Sequence, residues 1–373
     1  MKRRFRYGHA ASVRWEAATD ACIAQLESPP GEDDRSRLGF LYVTDQLADK
    51  ADDILSRFKE RTRISQWIGS VGVGVCATGV EYLDEPAVAA MVGTFPGESA
   101  QVFSGRRRPP AVDARTVTGA HAAHFAVVHG DPRTEDMGTL VEDMSTKLDS
   151  GYLVGGISSS RGRTFQIANE VIEGGLSGAV FSSDVPIATR ISQGCVPLPA
   201  RHTITECDRN IIFALDHRPA LDVLKEDIGE PLSRDLARAG QTIFAGLPIA
   251  GSDSNDYRVR NLVGIDPRNK LVAIGDYVEA GQPLMFCMRD GNSAKRDLDR
   301  MLAEISRDLQ APPRGALYYS CLGRGEHMFG GNSAELQAIR SALGEIPLVG
   351  FFANGEISHD KLYGYSGVLT LFV

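Results

Sequence analysis

The 373-residue chain has no surplus of positive charge, no closely spaced cysteines and no long apolar run. Lys and Arg number 40 against 48 Asp and Glu, a net charge of −8. A chain of that balance lacks the basic face that neutralises a nucleic-acid backbone. The six cysteines (Cys22, Cys76, Cys195, Cys207, Cys287 and Cys321) come no nearer one another than 12 residues. That spacing excludes a CxxC metal or redox pair. So few thiols in a chain this long also argue against a disulfide framework and for a reducing cytoplasm. No segment approaches the roughly 18 apolar residues of a membrane helix. Met1-Lys-Arg-Arg-Phe-Arg is basic like the start of a signal peptide, but the stretch from Trp15 to Leu26 is broken by Glu16 and Asp20. No GxxxxGK[ST] loop occurs, and Gly72-Val-Gly-Val does not complete GxGxxG, so a nucleotide loop is unsupported. Arg106-Arg-Arg-Pro-Pro reads as a solvated loop.

What is present suits a soluble, folded chain. Hydrophobic residues make up 43% and charged residues 24%, and the 39 glycines predict many tight turns or close backbone approaches. The length fits two to three domains or one large repeated architecture.

A repeat is visible. Residues 12–27 predict an amphipathic helix capped by Ser12, and Ser28-Pro-Pro-Gly breaks it. Leu38–Thr44 then reads as a strand, and Ala51, Ile54, Leu55 and Phe58 mark a helix by their i, i+3, i+4, i+7 spacing. Trp67–Val75 and Ala87–Phe95 follow as strands. The order recurs from Phe125, with a helix stripe at Met137, Leu140, Val141, Met144 and Leu148, then strands from Tyr152 and Ser177. It recurs again from Gly315, where Asn332 and Glu335 predict a capping box, followed by strands from Pro347 and Ser366. Leu41 to Gly69 and Val127 to Gly155 are each 28 residues, and Tyr318 to Gly350 is 32. Gly69, Gly155 and Gly350 are therefore expected at equivalent sites of a βαββ unit used three times. The Ser-Gly pairs at 177 and 366 are expected to match as well. Between the second and third units the pattern changes. Short antiparallel strands are expected over 180–217, and Leu221, Leu224 and Ile228 mark a short helix, with another from Pro231. Gly251-Ser-Asp-Ser-Asn-Asp reads as a turn-rich loop, 261–275 as a hairpin, and 293–309 as a helix.

The strand ends are the expected functional region, because ligands of α/β units gather outside the carboxyl ends of strands. Those ends carry Thr44-Asp45, His129-Gly130-Asp131, Ser158-Ser159-Ser160-Arg161, Ser320-Cys321-Leu-Gly323-Arg324-Gly325 and Asn354-Gly355-Glu356.

Several of these segments resemble FIST proteins, a family named for F-box and intracellular signal transduction proteins. The C-terminal half is similar in Ser320-Cys-Leu-Gly-Arg-Gly, Met328-Phe-Gly, Glu335, Ile346-Pro-Leu-Val-Gly-Phe-Phe-Ala-Asn-Gly-Glu, Leu262-Val-Gly-Ile-Asp-Pro and Met285-Phe-Cys-Met-Arg-Asp. The likeness is looser over about 38–215, where Val73-Gly-Val-Cys-Ala-Thr-Gly-Val-Glu stands in place of a Gly-Cys/Thr-x-x-Gly-Glu run. The resemblance implies a sensory domain for small ligands such as amino acids. Some members resemble haem proteins that sense nitric oxide, and others carry an F-box. No F-box module is expected in the 37 residues before the first unit, nor a kinase or cyclase after the last, so output is expected through a separate signalling partner.

Arg324, between two glycines, is suited to grip a carboxylate bidentately, or equally to pair with a neighbouring acid. Glu356 could take a ligand amine or serve as a buried partner of Arg324. Cys321 reads as a small buried hydrophobe or, with His327 or His129 as base, as a nucleophile. His121, His124 and His129 precede and enter an apolar strand, which disfavours a metal pair on a helix. His129 alone is a candidate ligand contact, or a haem axial ligand in the alternative reading.

The fold expected is α+β, with repeated βαββ units forming mixed sheets covered by helices. A helical extension over 1–37 would precede halves over 38–228 and 229–373, with the ligand cavity at or near the interface of the halves. The function expected is small-ligand sensing, of an amino acid or related polar metabolite, with Arg324, Glu356, Asn354, Cys321, Gly323, Ser158 and His129 as ligand contacts. The alternatives are a haem-based nitric oxide sensor and a Cys321-dependent enzyme. No resident cofactor, nucleic acid or membrane is expected.

Overall fold

The computed structural model describes residues 5–26, 37–97, 99–105, 122–249 and 257–373. The basic start, the Ser28-Pro-Pro-Gly break, the Arg106 run, His121 and the Gly251 loop lie outside them. The chain divides into two compact units, one of residues 1–192 and 298–373, the other of residues 193–297.

The larger unit is built three times over. Each repeat has an edge strand, β1 (Phe5–Ala11), β7 (Ala100–Gly105) or β13 (Ile187–Gln193). A strand–helix–strand core follows. It comprises β2 (Arg37–Thr44), α2 (Ala51–Thr62) and β3 (Trp67–Gly72) in the first repeat, and β8 (Ala123–Gly130), α3 (Met137–Ser145) and β9 (Tyr152–Ile157) in the second. In the third it is β22 (Gly315–Cys321), α8 (Ala334–Leu343) and β23 (Leu348–Ala353). The closing strand is β6 (Ala87–Thr94), β12 (Leu176–Ser182) or β26 (Ser366–Phe372). In every repeat the first two strands pair parallel, and the closing strand pairs antiparallel on the other side of the first. A helix connection is what a parallel pair requires.

Between second and closing strands each repeat also sends out a hairpin that the apolar pattern does not resolve. These are β4 (Gly74–Ala77) with β5 (Val80–Leu83), β10 (Gln166–Ala168) with β11 (Val171–Ile172), and β24 (Glu356–His359) with β25 (Lys361–Tyr363). None stays in its own sheet. The sheets read β1-β6-β2-β3-β10-β11, β7-β12-β8-β9-β24-β25 and β13-β26-β22-β23-β4-β5. Each repeat therefore lends its hairpin to another, in a closed cycle of three. The single strand expected from Trp67 to Val75 is in fact two, because the chain leaves one sheet at Val73 and joins another at Gly74.

The three glycines fall where the spacing places them. Gly69, Gly155 and Gly350 lie opposite Leu41, Val128 and Tyr318 on one side. On the other they face Ile167, Ile357 and Cys76 of the incoming hairpins. A Cβ on them would stand 1.7, 1.8 and 1.7 Å from the partner's carbonyl oxygen. Only glycine allows so close an approach. The partner in the second repeat is Val128, one residue past the position that the count picked out. The Ser-Gly match does not hold: Gly178 lies opposite Val128, whereas Gly367 lies opposite Ser320, two residues beyond Tyr318.

Alternation along the strands sorts the core. Outward residues are covered by helices: α1 (Trp15–Leu26) and α2 on the first sheet, α3 on the second, and α6 (Gly291–Asp308) with α8 on the third. Inward residues of all three sheets meet in one cluster that includes Phe40, Tyr42, Phe125, Phe181, Tyr319, Phe351 and Phe372.

The smaller unit has eight strands: β14 (Cys195–Pro197), β15 (His202–Asp208), β16 (Ile211–Leu215), β17 (Arg218–Pro219), β18 (Ile243–Pro248), β19 (Tyr257–Asp266), β20 (Leu271–Ile274) and β21 (Pro283–Arg289). Strands β15, β16, β20, β19, β18 and β21 pair antiparallel in turn, and β21 returns to β15, which closes a ring. Closure removes the exposed edges of the sheet. Helices α4 (Ala220–Ile228) and α5 (Leu236–Thr242) share its apolar core.

One ionisable device stands out in this unit. His202 Nδ1 lies 2.6 Å from Asp216 and Nε2 lies 2.8 Å from Asp227 of α4. Burial works against the imidazolium, yet the hydrogen bonds to both carboxylates prevail and the pKa is raised. The stabilisation is complete below the unfolded value of about 6.5 and is lost as pH rises through the higher folded one. The unit should melt at lower temperature as pH climbs from roughly 6 to 8, and His202→Gln should flatten that slope. An equally steep slope in the variant would show that other groups set it.

Candidate functional site

The repeat places chemically different residues at equivalent positions. On the inner faces, directly paired residues point the same way, so each sheet presents a row at one level. The first sheet presents Ala89, Tyr42, Ser70 and Gln166. The second presents Ser177, His129, Gly156 and Glu356. The third presents Val368, Tyr319, Phe351 and Val75. Every one of these positions is buried.

Tyr42, His129 and Tyr319 occupy the matching place in the three first strands and touch. The Tyr42 hydroxyl lies 3.2 Å from His129 Nε2 and 3.0 Å from the Tyr319 hydroxyl. Phe351 stacks on Tyr42 at 5.4 Å between centroids, and His129 and Tyr319 lie 5.9 and 5.7 Å from it. Burial holds the His129 pKa down at about 3, so the ring is neutral. The haem alternative does not fit these residues. Tyr42 takes Nε2, and the aromatic rings packed around the imidazole fill the space that a porphyrin would need.

Two residues further along lie the strand ends, and here the repeats diverge. In the first repeat Thr44 Oγ1 accepts from Ala87 N at 2.8 Å. In the second, Asp131 accepts from Arg133 at 2.8 Å and from Gly174 N at 2.8 Å. Both ends are closed by internal bonds. In the third repeat the equivalent residue is Cys321, and beside it stands Glu356. Its Oε2 accepts from Ser366 N at 3.1 Å and from Ser366 Oγ at 2.7 Å, while Oε1 has no hydrogen-bond partner. Burial pushes the Glu356 carboxyl up to about 8, although Ser366, the charge of Arg324 and a hydrogen bond with the Cys321 thiol work the other way. Burial and the charge of Glu356 also raise the Cys321 thiol well above its ordinary value. The thiol form predominates, so Cys321 is a poor nucleophile. Gly323 lies under the ring of Tyr365, where a Cβ would meet ring carbons at 2.9 Å. Tyr365 holds φ +60, a costly conformation for a bulky residue. Gly323 and Tyr365 are both half-buried.

Arg324 is fully buried but on the other face. Its Nη2 lies 2.7 Å from Glu335 Oε1, Nε donates to the same oxygen at 2.8 Å, and Nη1 and Nη2 reach Ser192 at 3.3 and 3.2 Å. The guanidinium also lies 4.9 Å from the centroid of Phe329 in α7 (Glu326–Phe329). Glu335 further accepts from Tyr318 at 2.5 Å, Ser320 at 3.0 Å and Gly325 N at 3.2 Å. Tyr318 and Ser320 alternate with the inward Tyr319 and Cys321, so this cluster sits on the helix-covered side of β22. Arg324 and Glu356 thus lie on opposite faces of the sheet, each bonded within the chain. A carboxylate of the chain itself already fills the fork of Arg324.

Glu335 is the residue that sequence reading misplaced. It does not cap α8, because its carboxylate turns to Tyr318 and Ser320 of β22. Glu81 of β5 serves that helix start instead, accepting from Leu336 N at 3.3 Å, while Ser333 Oγ accepts from Glu81 N at 2.8 Å. Burial, and then the charge of Glu335, push Glu81 up to about 7. The alternation of Tyr318 and Ser320 beside an Arg between glycines was the available signal.

The other candidates scatter. Ser158 Oγ lies 2.8 Å from Ser70 Oγ and donates to Phe165 O at 3.1 Å. Asn354 is exposed, with its backbone N donating to Ile157 O at 2.9 Å. His327 is exposed on α7. His124 and His129 are five residues apart on β8 and so point to opposite faces. Among the described residues no helix is long and apolar enough to cross a membrane.

Comparison with known proteins matches residues 37–218 to the FIST N domain and residues 220–359 to the FIST C domain. The uncharacterized protein Rv0628c of Mycobacterium tuberculosis (strain ATCC 25618 / H37Rv) is 32% identical over 386 residues, covering 98% of this chain and 97% of the relative. The uncharacterized protein Mb0898c of Mycobacterium bovis (strain ATCC BAA-935 / AF2122/97) is 30% identical over 383 residues, covering 96% and 95%.

Proposed function

The chain belongs to the FIST family, and on that premise we propose that it senses a small polar metabolite through a primary ammonium group, amino acids included. The observation that carries this reading is the buried Oε1 of Glu356, which has no nitrogen or oxygen donor and only the weakly donating Cys321 thiol beside the carboxyl. A fully buried carboxyl with a free oxygen is costly unless something donates to it. At the other two equivalent strand ends Thr44 and Asp131 are bonded within the chain. The ligand's ammonium would donate to Oε1, with Cys321 and Ser366 beside it and Tyr365 moving to admit it. Arg324 takes no part in contact; it holds the Gly323–Gly325 loop in place through Glu335. The signal passes to a separate protein partner.

The test is calorimetric titration with alanine and with ethylamine, which share the ammonium and differ in the carboxylate. Glu356 must lose its proton to pair with a cation. Affinity should therefore rise as pH climbs from about 7 towards 9, through the raised Glu356 value and below the roughly 10 of a free alkylamine. Glu356→Gln should weaken binding by about 2–5 kcal/mol, as for a truncated buried charge pair, and abolish the pH dependence. Unchanged affinity in Glu356→Gln, or no binding of any amine, would remove the reading.

A further inference from the structure

Each repeat of the larger unit begins with an edge strand, and the three edges are not protected alike. Alternation along an antiparallel pair fixes which backbone groups of an edge strand face outward. On β1, Ser12 N donates to Pro86 O at 2.9 Å, in register with Ala11 opposite Ala87. The same count turns the N–H and C=O of His9 away from β6. Gln25 of α1 takes both, since its Nε2 donates to His9 O at 2.8 Å and its Oε1 accepts from His9 N at 3.4 Å. On β13, Arg190 donates to Thr189 O at 2.8 Å and Asp297 accepts from Gln193 N at 2.7 Å. On β7, Ser182 N donates to Ser99 O at 2.9 Å, in register with Phe181 opposite Ala100. Gln101, Phe103 and Gly105 are therefore the residues bonded to β12, and Ala100, Val102 and Ser104 turn their N–H and C=O outward. Among the described residues nothing bonds to those outward groups. Strands β1 and β13 also carry Arg6 and Arg190, whereas Ala100-Gln-Val-Phe-Ser-Gly holds neither charge nor proline. A bare, uncharged edge of this kind is a template for another strand.

We propose that β7 is the surface through which two copies of this chain pair, edge to edge and antiparallel, so that their second sheets run on as one. The strand is complementary to itself. With the two-fold axis at Val102, that residue lies opposite its own copy and Ala100 lies opposite the partner's Ser104. Gln101 then lies beside the partner's Phe103, so every cross-strand pair is neutral. In the sequence Glu98 stands before the strand and Arg106 after it. An antiparallel mate therefore brings acid to base at each end, where a parallel mate brings like to like. A second copy also presents its strand already ordered, and so avoids the conformational cost that a flexible peptide meets on docking. The contact occupies the same edge on both chains and closes at two. Ala100 and Val102 pack their side chains on the central core, so backbone hydrogen bonds carry the contact. It is short, and the dimer is accordingly weak and concentration-dependent.

Sedimentation of the full chain should show a monomer when dilute and a dimer as concentration rises. Amide exchange followed residue by residue by NMR then reads the register. The Val102 and Ser104 amides should be protected in the dimer and exchange freely in the monomer. Those of Gln101 and Phe103, bonded to β12, should stay protected throughout. Ser104→Pro removes an outward N–H while sparing the β7–β12 ladder, and should weaken dimerisation at least about tenfold. Ser104→Ala keeps that N–H and should dimerise like the parent chain. Should Ser104→Pro fail to fold, the exchange pattern of the parent chain decides. The proposal is overturned if the chain stays monomeric up to its solubility limit, which would leave the edge to an extended segment of some other protein. It is equally overturned if a dimer forms while Val102 and Ser104 exchange freely, or if a folded Ser104→Pro dimerises as well as the parent chain.

Discussion

Alanine at Gly69, Gly155 or Gly350 should destabilise the larger unit by about 4 kcal/mol or more, at the extreme of single substitutions. At each site the added Cβ would stand 1.7–1.8 Å from a backbone carbonyl oxygen of the adjacent strand. Backbone in the centre of a paired sheet cannot yield as the tip of a side chain can, so the strands must part. The incoming hairpin on the other side of each glycine would be displaced with them. Gly138 in α3 is the control: a Cβ there meets nothing within 4 Å, and Gly138→Ala should be neutral or stabilise by up to about 1 kcal/mol. Urea melts of the four variants decide the matter. Should the three strand glycines accept alanine as easily as Gly138, the close approach would have no energetic weight.

Arg324→Ala should cost about 3–5 kcal/mol of stability, because it leaves the Glu335 carboxylate buried without its cation. Both side chains are wholly buried and 2.7 Å apart. Glu335→Gln should also destabilise, since Tyr318 and Ser320 donate to different carboxylate oxygens, of which the amide keeps only one, and Arg324 loses its anion. Replacing both, as Arg324→Met with Glu335→Leu, should recover part of the loss. Recovery would be incomplete, because Tyr318, Ser320 and Gly325 N lose their acceptor. If instead Arg324→Ala melts like the parent chain but loses alanine binding and keeps ethylamine binding, Arg324 contacts the ligand carboxylate and its assignment to the helix side of β22 is wrong.

The two predictions separate what could be read in order from what could not. Strand, helix, strand, strand is a local signal, carried by the spacing of apolar residues within some ten positions, and it located all three cores. The small hairpins escaped because two to four residues hold no measurable period, and 166–168 or 356–359 look like loops in isolation. Their destination was beyond reach of any local reading. Which sheet a hairpin joins depends on packing between segments more than a hundred residues apart.

Composition and periodicity by themselves determined the class of the protein: an α+β fold of repeated βαββ units, with glycines at matching places because the strands there approach too closely for any side chain. They also pointed to the strand ends. Tertiary structure alone decided which of those ends remains open. Thr44, Asp131 and Cys321 are equivalent in space but share no motif, and beside Cys321 stands Glu356, brought in by its hairpin, with an oxygen that has no hydrogen-bond partner. It also decided that Arg324 pairs with Glu335 on one face of the sheet while Glu356 bonds Ser366 on the other. Neighbouring residues on a strand face opposite ways. A difference of one position along β22 thus puts the Arg324 cluster under α8 and Cys321 among the inward side chains, a distinction of direction that no linear spacing between residues 324 and 356 expresses.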